Sequence, residues 1–130
     1  MTNLTAALKE RKEWAEDQIN CWVCKRHSYC GFPLETHEME RKSHGFQGKW
    51  ASLSNYFRAC KKCHMDDLAN MPHAKQLAYK QLYDPLNFNR EQWLRIRDPE
   101  LQAPNRVTQD EIEIYVSQLQ TLGHPKKWTS

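Results

Sequence analysis

The stretch SNYFRACKKCH, residues 54–64, decides how the fold of this chain is interpreted. It places Asn55 five residues before Cys60, which begins a CxxC pair, and it places His64 directly after that pair. A second pair, CWVC, lies upstream at residues 21–24. Each CxxC turn can present two thiolates to one ion, so two turns predict a closed tetrahedral Zn²⁺ site that stabilises the fold. The predicted zinc ligands are Cys21, Cys24, Cys60 and Cys63.

The composition favours one small domain inside the cell. The chain has 130 residues, which is too short to divide a sizeable core into several domains. It contains neither a run of eighteen apolar residues nor the apolar segment of a signal peptide, so we expect no membrane span and no secretion. The predicted localisation is cytoplasmic, where a reducing environment favours metal binding over disulfides for paired cysteines.

Hydrophobic spacing divides the chain into three predicted parts. Apolar residues at intervals of three and four predict an N-terminal helical arm over residues 1–20. Residues 21–83 are the predicted core, in which a hairpin is expected before about Leu53 and a helix after the second CxxC pair. Residues 84–130 are a predicted C-terminal helical extension.

Two helices are predicted within the extension. The first covers residues 90–97, after the capping residue Asn89. The second begins after Thr108, because Thr108 and Glu111 have the spacing of a capping box. Together with the hairpin, these helices predict a small α+β fold.

Positive charge is concentrated around the cysteines. The net charge is only +3, but residues 21–64 contain eight lysines and arginines against three glutamates. Clustered charge of this kind favours a polyanionic partner, since phosphate approach releases counterions, although a solvated face is an equally simple interpretation. The candidate nucleic-acid contacts are Arg41, Lys42, Lys49, Lys61 and Lys62.

The joint spacing of these motifs, with ETHEMERKSH at residues 35–44 between the cysteine pairs, resembles the HNH endonuclease family. The resemblance covers residues 21 to about 75. It implies a zinc-stabilised ββα-metal core, in which a metal-and-base pair lies on the first strand, an asparagine lies in the loop before a helix, and CxxCH opens that helix. Small chains of this kind are found in bacteria and bacteriophages.

The resemblance assigns roles to four residues. His37 matches the first member of the metal-and-base pair, Glu38 the second, and Asn55 and His64 the motif asparagine and the final histidine. The family usually has histidine at the position of Glu38, and a carboxylate is a weaker base than an imidazole. One assignment gives His37 and His64 to a divalent metal, with Glu38 as ligand or base. The other makes His37 the base and gives the metal to Glu35 or Glu38.

The function implied by the resemblance is metal-dependent hydrolysis of DNA. Mg²⁺ or Mn²⁺ is the expected catalytic ion, beside the structural zinc, and DNA is the expected partner. The alternative is a non-catalytic zinc-stabilised module that binds nucleic acid or protein, and Glu38 is the feature that favours it. On a regular strand His37 and Glu38 point to opposite faces, so only one of them can face a given ion.

The remaining candidates are interpreted as structural. His73, beyond the second cysteine pair, is expected to be a surface residue, because nothing in its spacing demands a metal. The aromatic residues near the cysteines are expected to pack in the core rather than stack on bases. These residues are Trp22, Trp50, Tyr56 and Phe57.

Overall fold

Two short strands and five α-helices form the described part of the chain. The computed structural model describes residues 3–25, 33–40, 52–97 and 107–124. The predicted small α+β fold is confirmed over these residues. The elements in chain order are α1 (Asn3–Glu16), β1 (Leu34–Glu38), β2 (Tyr56–Cys60), α2 (Lys61–Asp66), α3 (His73–Tyr83), α4 (Arg90–Arg97) and α5 (Gln109–Thr121).

The sheet consists of β1 and β2, which pair antiparallel. The register places Glu38 opposite Tyr56 and His37 opposite Phe57. β1 lies within the segment predicted for the hairpin, but the prediction was wrong for the second strand, because β2 begins after the predicted limit at about Leu53. Both faces of β2 are largely buried, so its sequence lacks the polar–apolar alternation that marks a half-exposed strand.

The helix boundaries follow local sequence signals. α3 begins directly after Pro72, which lacks the backbone N–H that a helix start would leave unpaired. α4 covers the predicted residues 90–97. The predicted capping box of α5 is confirmed, because the Thr108 side chain accepts from the Glu111 N–H and the Glu111 carboxylate accepts from the Thr108 N–H.

Aromatic side chains form much of the core between the sheet and the helices. Trp22, Tyr56 and Phe57 are 1%, 0% and 0% exposed, which confirms their predicted role in packing. The rings of Trp22 and Phe57 lie 4.8 Å apart, and the ring of Trp14 from α1 lies 6.0 Å from Trp22. Trp93 of α4 belongs to the same core. Residues from the predicted arm, core and extension therefore pack together in one hydrophobic cluster.

Among the described helices, none has both the length and the apolar character that crossing a membrane would require.

Candidate functional site

Four thiols meet where the CWVC turn approaches the junction of β2 and α2. The Sγ atoms of Cys21, Cys24, Cys60 and Cys63 lie within 4.8 Å of one another, and those of Cys24 and Cys60 are 3.9 Å apart. Four sulfurs bound tetrahedrally to zinc at about 2.3 Å would be roughly 3.8 Å apart. The four cysteines could therefore hold a zinc ion, as the sequence predicts.

The local geometry of each pair suits a metal-binding turn. The Cys24 N–H approaches the Cys21 sulfur at 3.5 Å, and the Cys63 N–H approaches the Cys60 sulfur at the same distance. Lys25 follows the first pair with a φ of 66°, the left-handed conformation that closes this turn.

Burial affects the thiols unequally. Burial is the main cause that raises the pKa of Cys21 to about 11, and it is also the main cause that raises the pKa of Cys63. Burial also opposes ionisation of Cys60, but hydrogen bonds from neighbouring cysteines outweigh it and lower the pKa of that thiol. A bound cation stabilises all four thiolates, so a buried, closed set of thiols is chemically suited to a structural ion.

The second cysteine pair also builds the start of α2. Cys60 is the last residue of β2 and the N-cap of α2, where its sulfur accepts the hydrogen bond from the Cys63 N–H. His64 is the fourth residue of α2 and follows directly after the thiol ligand candidate Cys63. An ion held by the thiols would fix the position of the His64 backbone relative to the sheet.

His37 and His64 face each other across the sheet surface. The Nδ1 atom of His37 lies 3.0 Å from the Nε2 atom of His64. The other nitrogen of each ring has its own partner: His64 Nδ1 lies 2.8 Å from the Glu35 carboxylate, and His37 Nε2 lies 3.2 Å from Gln76 Oε1. Glu35 and His37 are two residues apart on β1, so both side chains point to the same face.

The outer partners determine which ring nitrogens carry hydrogen. Gln76 donates its amide N–H to the Met71 carbonyl at 2.9 Å, so its oxygen faces His37 and accepts from Nε2–H. The Glu35 carboxylate likewise accepts from Nδ1–H of His64. In neutral rings, the nitrogens that face each other at 3.0 Å would both carry lone pairs. Two lone pairs repel unless a cation or a proton lies between them.

The spacing of the two imidazoles fits a metal ion. Two nitrogen ligands at about 2.1 Å from one ion lie roughly 3.0–3.4 Å apart, depending on the coordination angle. Histidines that bind metals typically donate their other N–H to a carboxylate or a carbonyl oxygen. Both features are present at His37 and His64.

A cleft of about 480 Å³ opens at the end of β1 beside the histidine pair. Glu38 is only 8% exposed, and the regular register of β1 directs it to the face opposite His37, as strand alternation predicts. Both residues nevertheless border the cleft. Arg11 of α1 reaches it as well and donates from Nη2 to the Thr36 carbonyl at 3.1 Å. The cleft is lined by Arg11, Thr36, His37, Glu38, Met39, Glu40 and His64.

Asn55 fixes the backbone that follows Glu38. It is fully buried, accepts the Glu40 N–H at Oδ1 and donates from Nδ2 to the Glu40 carbonyl, each at 2.8 Å. Its own carbonyl accepts the Met39 N–H at 2.9 Å, and its Oδ1 also accepts the Trp93 indole N–H at 3.2 Å. The side chain of Asn55 therefore links the end of β1 to helix α4.

A buried lysine holds the turn that carries Asn55. Lys80 of α3 is 0% exposed and donates to the carbonyls of Leu53 and Tyr56, on either side of that turn. It also pairs with Asp84 at 2.8 Å. Burial lowers the pKa of Lys80 to about 8, while Asp84 opposes that shift. Two of the three acceptors around this ammonium group are carbonyls that flank the turn, so Lys80 restrains the turn that carries Asn55.

The structure brings several predicted site residues together. His37 and His64 are in contact, Glu38 borders the same cleft, and Asn55 anchors the adjoining segment. Lys61 and Lys62 are exposed in the first turn of α2, next to His64. The remaining predicted nucleic-acid contacts lie outside the described residues: Arg41, Lys42 and Lys49, together with the aromatic residue Trp50.

The sequence does not predict the residues of α3 and α4 that support the site. His73 is not a simple surface residue: it donates from Nε2 to the Met39 carbonyl at 3.0 Å, and its ring lies 5.1 Å from Trp93. No motif in the sequence marks Gln76 or Trp93 as a site residue. One signal was available, because His73, Gln76 and Lys80 are spaced by three and four residues and so share one face of α3.

Comparison of the chain with protein-family models, with curated proteins and with solved structures found no match. The geometry and chemistry of the site must therefore carry the functional argument.

Proposed function

We propose that this protein is a metal-dependent endonuclease of the HNH type that hydrolyses phosphodiester bonds in DNA. The observation that carries the proposal is the convergence of His37 Nδ1 and His64 Nε2 at 3.0 Å, with Glu35 and Gln76 behind them. This arrangement lies at a cleft that also includes the carboxylate-bearing residue Glu38. Metal-assisted hydrolysis requires a site for the ion and a base for water, and here the base-bearing residue reaches the same cleft from the other face of β1.

The geometry favours one of the two assignments that the sequence leaves open. His37 directs one nitrogen to His64 and the other to Gln76, which suits a metal ligand better than a base. We therefore assign His37 and His64 to a divalent ion, Mg²⁺ or Mn²⁺, and Glu38 to the role of general base. A bound ion would neutralise charge on the scissile phosphate and the leaving oxygen.

Glu38 would accept a proton from water as the water oxygen forms a bond to phosphorus. The bond between phosphorus and the leaving 3′-oxygen then breaks, that oxygen takes a proton from solvent, and Glu38 returns its own proton to solvent. The products expected by analogy with the family are a 3′-hydroxyl and a 5′-phosphate. Asn55 supports this step by fixing the backbone of residue 40, two positions after Glu38. The base would thus be held at a defined position relative to the histidine pair.

The thiol cluster and the exposed lysines have supporting roles in this proposal. Zinc at the four cysteines would stabilise the β2–α2 junction that carries His64. Lys61 and Lys62 would contact DNA phosphates and position the duplex without reading its sequence. We assign the same role to Arg41, Lys42 and Lys49 on sequence grounds alone.

The proposal is tested by the nicking of supercoiled plasmid by zinc-loaded protein in Mg²⁺ or Mn²⁺. We expect H37A, H64A and E38Q to reduce the nicking rate by about 100-fold or more, the usual effect of losing a general base or a metal ligand. Glu16→Gln, at an exposed position at the end of α1, is the matched control and should nick at the wild-type rate.

Two results would overturn the proposal. Nicking that survives all three substitutions would show that the histidine cleft is not the catalytic centre. Binding of DNA without nicking in either metal would instead favour a non-catalytic zinc-stabilised module, the alternative suggested by a glutamate where the family usually has histidine.

A further inference from the structure

We infer that Gln76 is a positioning residue that selects Nδ1 of His37 as the metal-binding nitrogen. This inference rests on the proposed metal site at His37 and His64. It extends that proposal by assigning a role to a residue of α3, most of which follows the segment that resembles the HNH family. Gln76 lies at the fourth position of α3, is 3% exposed and accepts from His37 at 3.2 Å.

The orientation of the Gln76 amide has one satisfactory solution. The Met71 carbonyl can only accept a hydrogen bond, and it lies 2.9 Å from the amide nitrogen. Rotating the amide by half a turn would place two oxygen atoms against each other and leave a buried N–H facing His37. The amide oxygen therefore faces His37, and its acceptor character requires hydrogen on Nε2 of that ring.

Selecting one nitrogen matters because a neutral imidazole can carry its hydrogen on either Nδ1 or Nε2. Hydrogen on Nδ1 would point at His64 Nε2, which is 3.0 Å away, and would occupy the position where an ion has to bind. A neutral amide prevents this without adding charge to the cleft. The corresponding partner of His64 is a carboxylate that is 37% exposed, so the amide is the more buried of the two supports.

The test uses zinc-loaded protein labelled with ¹⁵N at histidine. Long-range ¹H–¹⁵N spectra distinguish a protonated ring nitrogen from a bare one, and we expect wild-type His37 to carry hydrogen on Nε2. In Q76L, which removes the acceptor but keeps a similar volume, we expect signals from both tautomers. Gln81→Leu, on the same helix but hydrogen-bonded to α5, is the matched control.

Binding of Mn²⁺ provides the second readout. Mn²⁺ should broaden the ring signals of His37 and His64 in the wild type while zinc remains at the thiols, which prefer the softer ion. We expect the Mn²⁺ concentration that reduces these ring signals to half their intensity to rise at least tenfold in Q76L and to stay unchanged in Q81L. No step of this measurement depends on DNA cleavage.

The outcomes separate this inference from the proposed function. If Mn²⁺ does not broaden the ring signals of His37 and His64 in the wild type, the two histidines do not bind the ion and both proposals fall. If the wild type binds Mn²⁺ and Q76L binds it equally well with an unchanged tautomer, only the role of Gln76 falls. Hydrogen on Nδ1 of His37 in zinc-loaded wild type without Mn²⁺ also overturns that role, even if every variant at position 76 fails to fold.

Discussion

Asn55 is a fully buried amide that contacts the backbone of Glu40 on both sides and the indole of Trp93. Replacing it with alanine would remove these bonds from the half-buried Glu40 carbonyl and N–H and from the buried Trp93 N–H. We expect N55A to lower the free energy of unfolding by about 3 kcal/mol, since each unpaired buried group costs about 1–3 kcal/mol and partial relaxation recovers some of that cost. Urea unfolding measures the change.

The matched control for Asn55 is Gln120→Ala at an exposed position of α5, which should change stability by less than about 0.5 kcal/mol. A cost below about 1 kcal/mol for N55A would mean that the hydrogen bonds around the end of β1 are not formed in solution.

His124 is a second buried polar residue, and it predicts a pH dependence. Burial is the main cause that lowers the pKa of His124 from 6.5 to about 4, with repulsion from Lys25 and Lys75 adding to it. Below pH 6.5 the unfolded chain binds a proton that the folded chain binds only near pH 4. The free energy of unfolding should therefore fall as the pH drops from 6.5 to 4, by about 2 kcal/mol from this residue.

The contribution of His124 is isolated by comparing the wild type with H124F. Other groups titrate in the same range, so the measured quantity is the difference between the two pH profiles of the free energy of unfolding. We expect a shallower fall in H124F, because it has no imidazole to protonate. Parallel profiles would contradict the prediction. H124F also loses the hydrogen bond from the Tyr83 hydroxyl, and this loss would lower the free energy of unfolding by a similar amount at every pH.

At the level of elements, α3 belongs to both the core and the site. Leu77 and Ala78 are fully buried, while His73, Gln76 and Lys80 contact the strands and the turn around Asn55. Apolar periodicity predicts that Leu77 and Ala78 are buried, because the buried face of a helix carries apolar residues at intervals of three and four. The bonds that the second set makes to the strand β1 and to the turn around Asn55 join residues between 24 and 39 positions apart, so they cannot be predicted without knowing how the elements pack.

The same distinction explains which parts of the site the sequence predicts. The four cysteines are identified by spacing alone, since a CxxC turn brings two thiols together locally. The capping box of α5 is equally local. β2 was misplaced because it is buried on both faces, and such a strand carries no alternating pattern.

Helix α4 contributes to the site through Trp93, which contacts both His73 and Asn55. Trp93 is fully buried and donates its indole N–H to Asn55 Oδ1, which also accepts from Glu40. Trp93→Phe keeps an aromatic ring in the core but removes the donor. We expect amide hydrogen exchange at Glu40 to accelerate by about tenfold, as the Asn55 side chain becomes less restrained and the local opening free energy falls by about 1.4 kcal/mol.

Exchange at Ile112, a buried residue of α5, provides the internal control, because a general loss of stability would accelerate both amides together. Acceleration at Glu40 alone would support a specific link between α4 and the end of β1. Equal acceleration at both positions would contradict it.

At the level of the whole molecule, the two candidate metal centres share one structural junction. The thiol cluster joins the turn after α1 to the end of β2, and His64 follows directly on α2. We expect C21S and C63S to reduce zinc content, measured by elemental analysis of reduced protein, from one ion per chain to well below one. Helical circular dichroism should fall as well, because a structural zinc contributes directly to folding in small domains.

The matched control for zinc loss is Cys30→Ser, at a cysteine that lies outside the described residues and outside the predicted ligand set. It should keep one zinc ion per chain. Because His64 is held in place by the same turn, C63S should also abolish Mn²⁺ broadening of the His37 and His64 ring signals, although it alters neither histidine. Normal Mn²⁺ broadening in zinc-free protein would show that the histidine pair forms without the thiol cluster, and the two centres would then be independent.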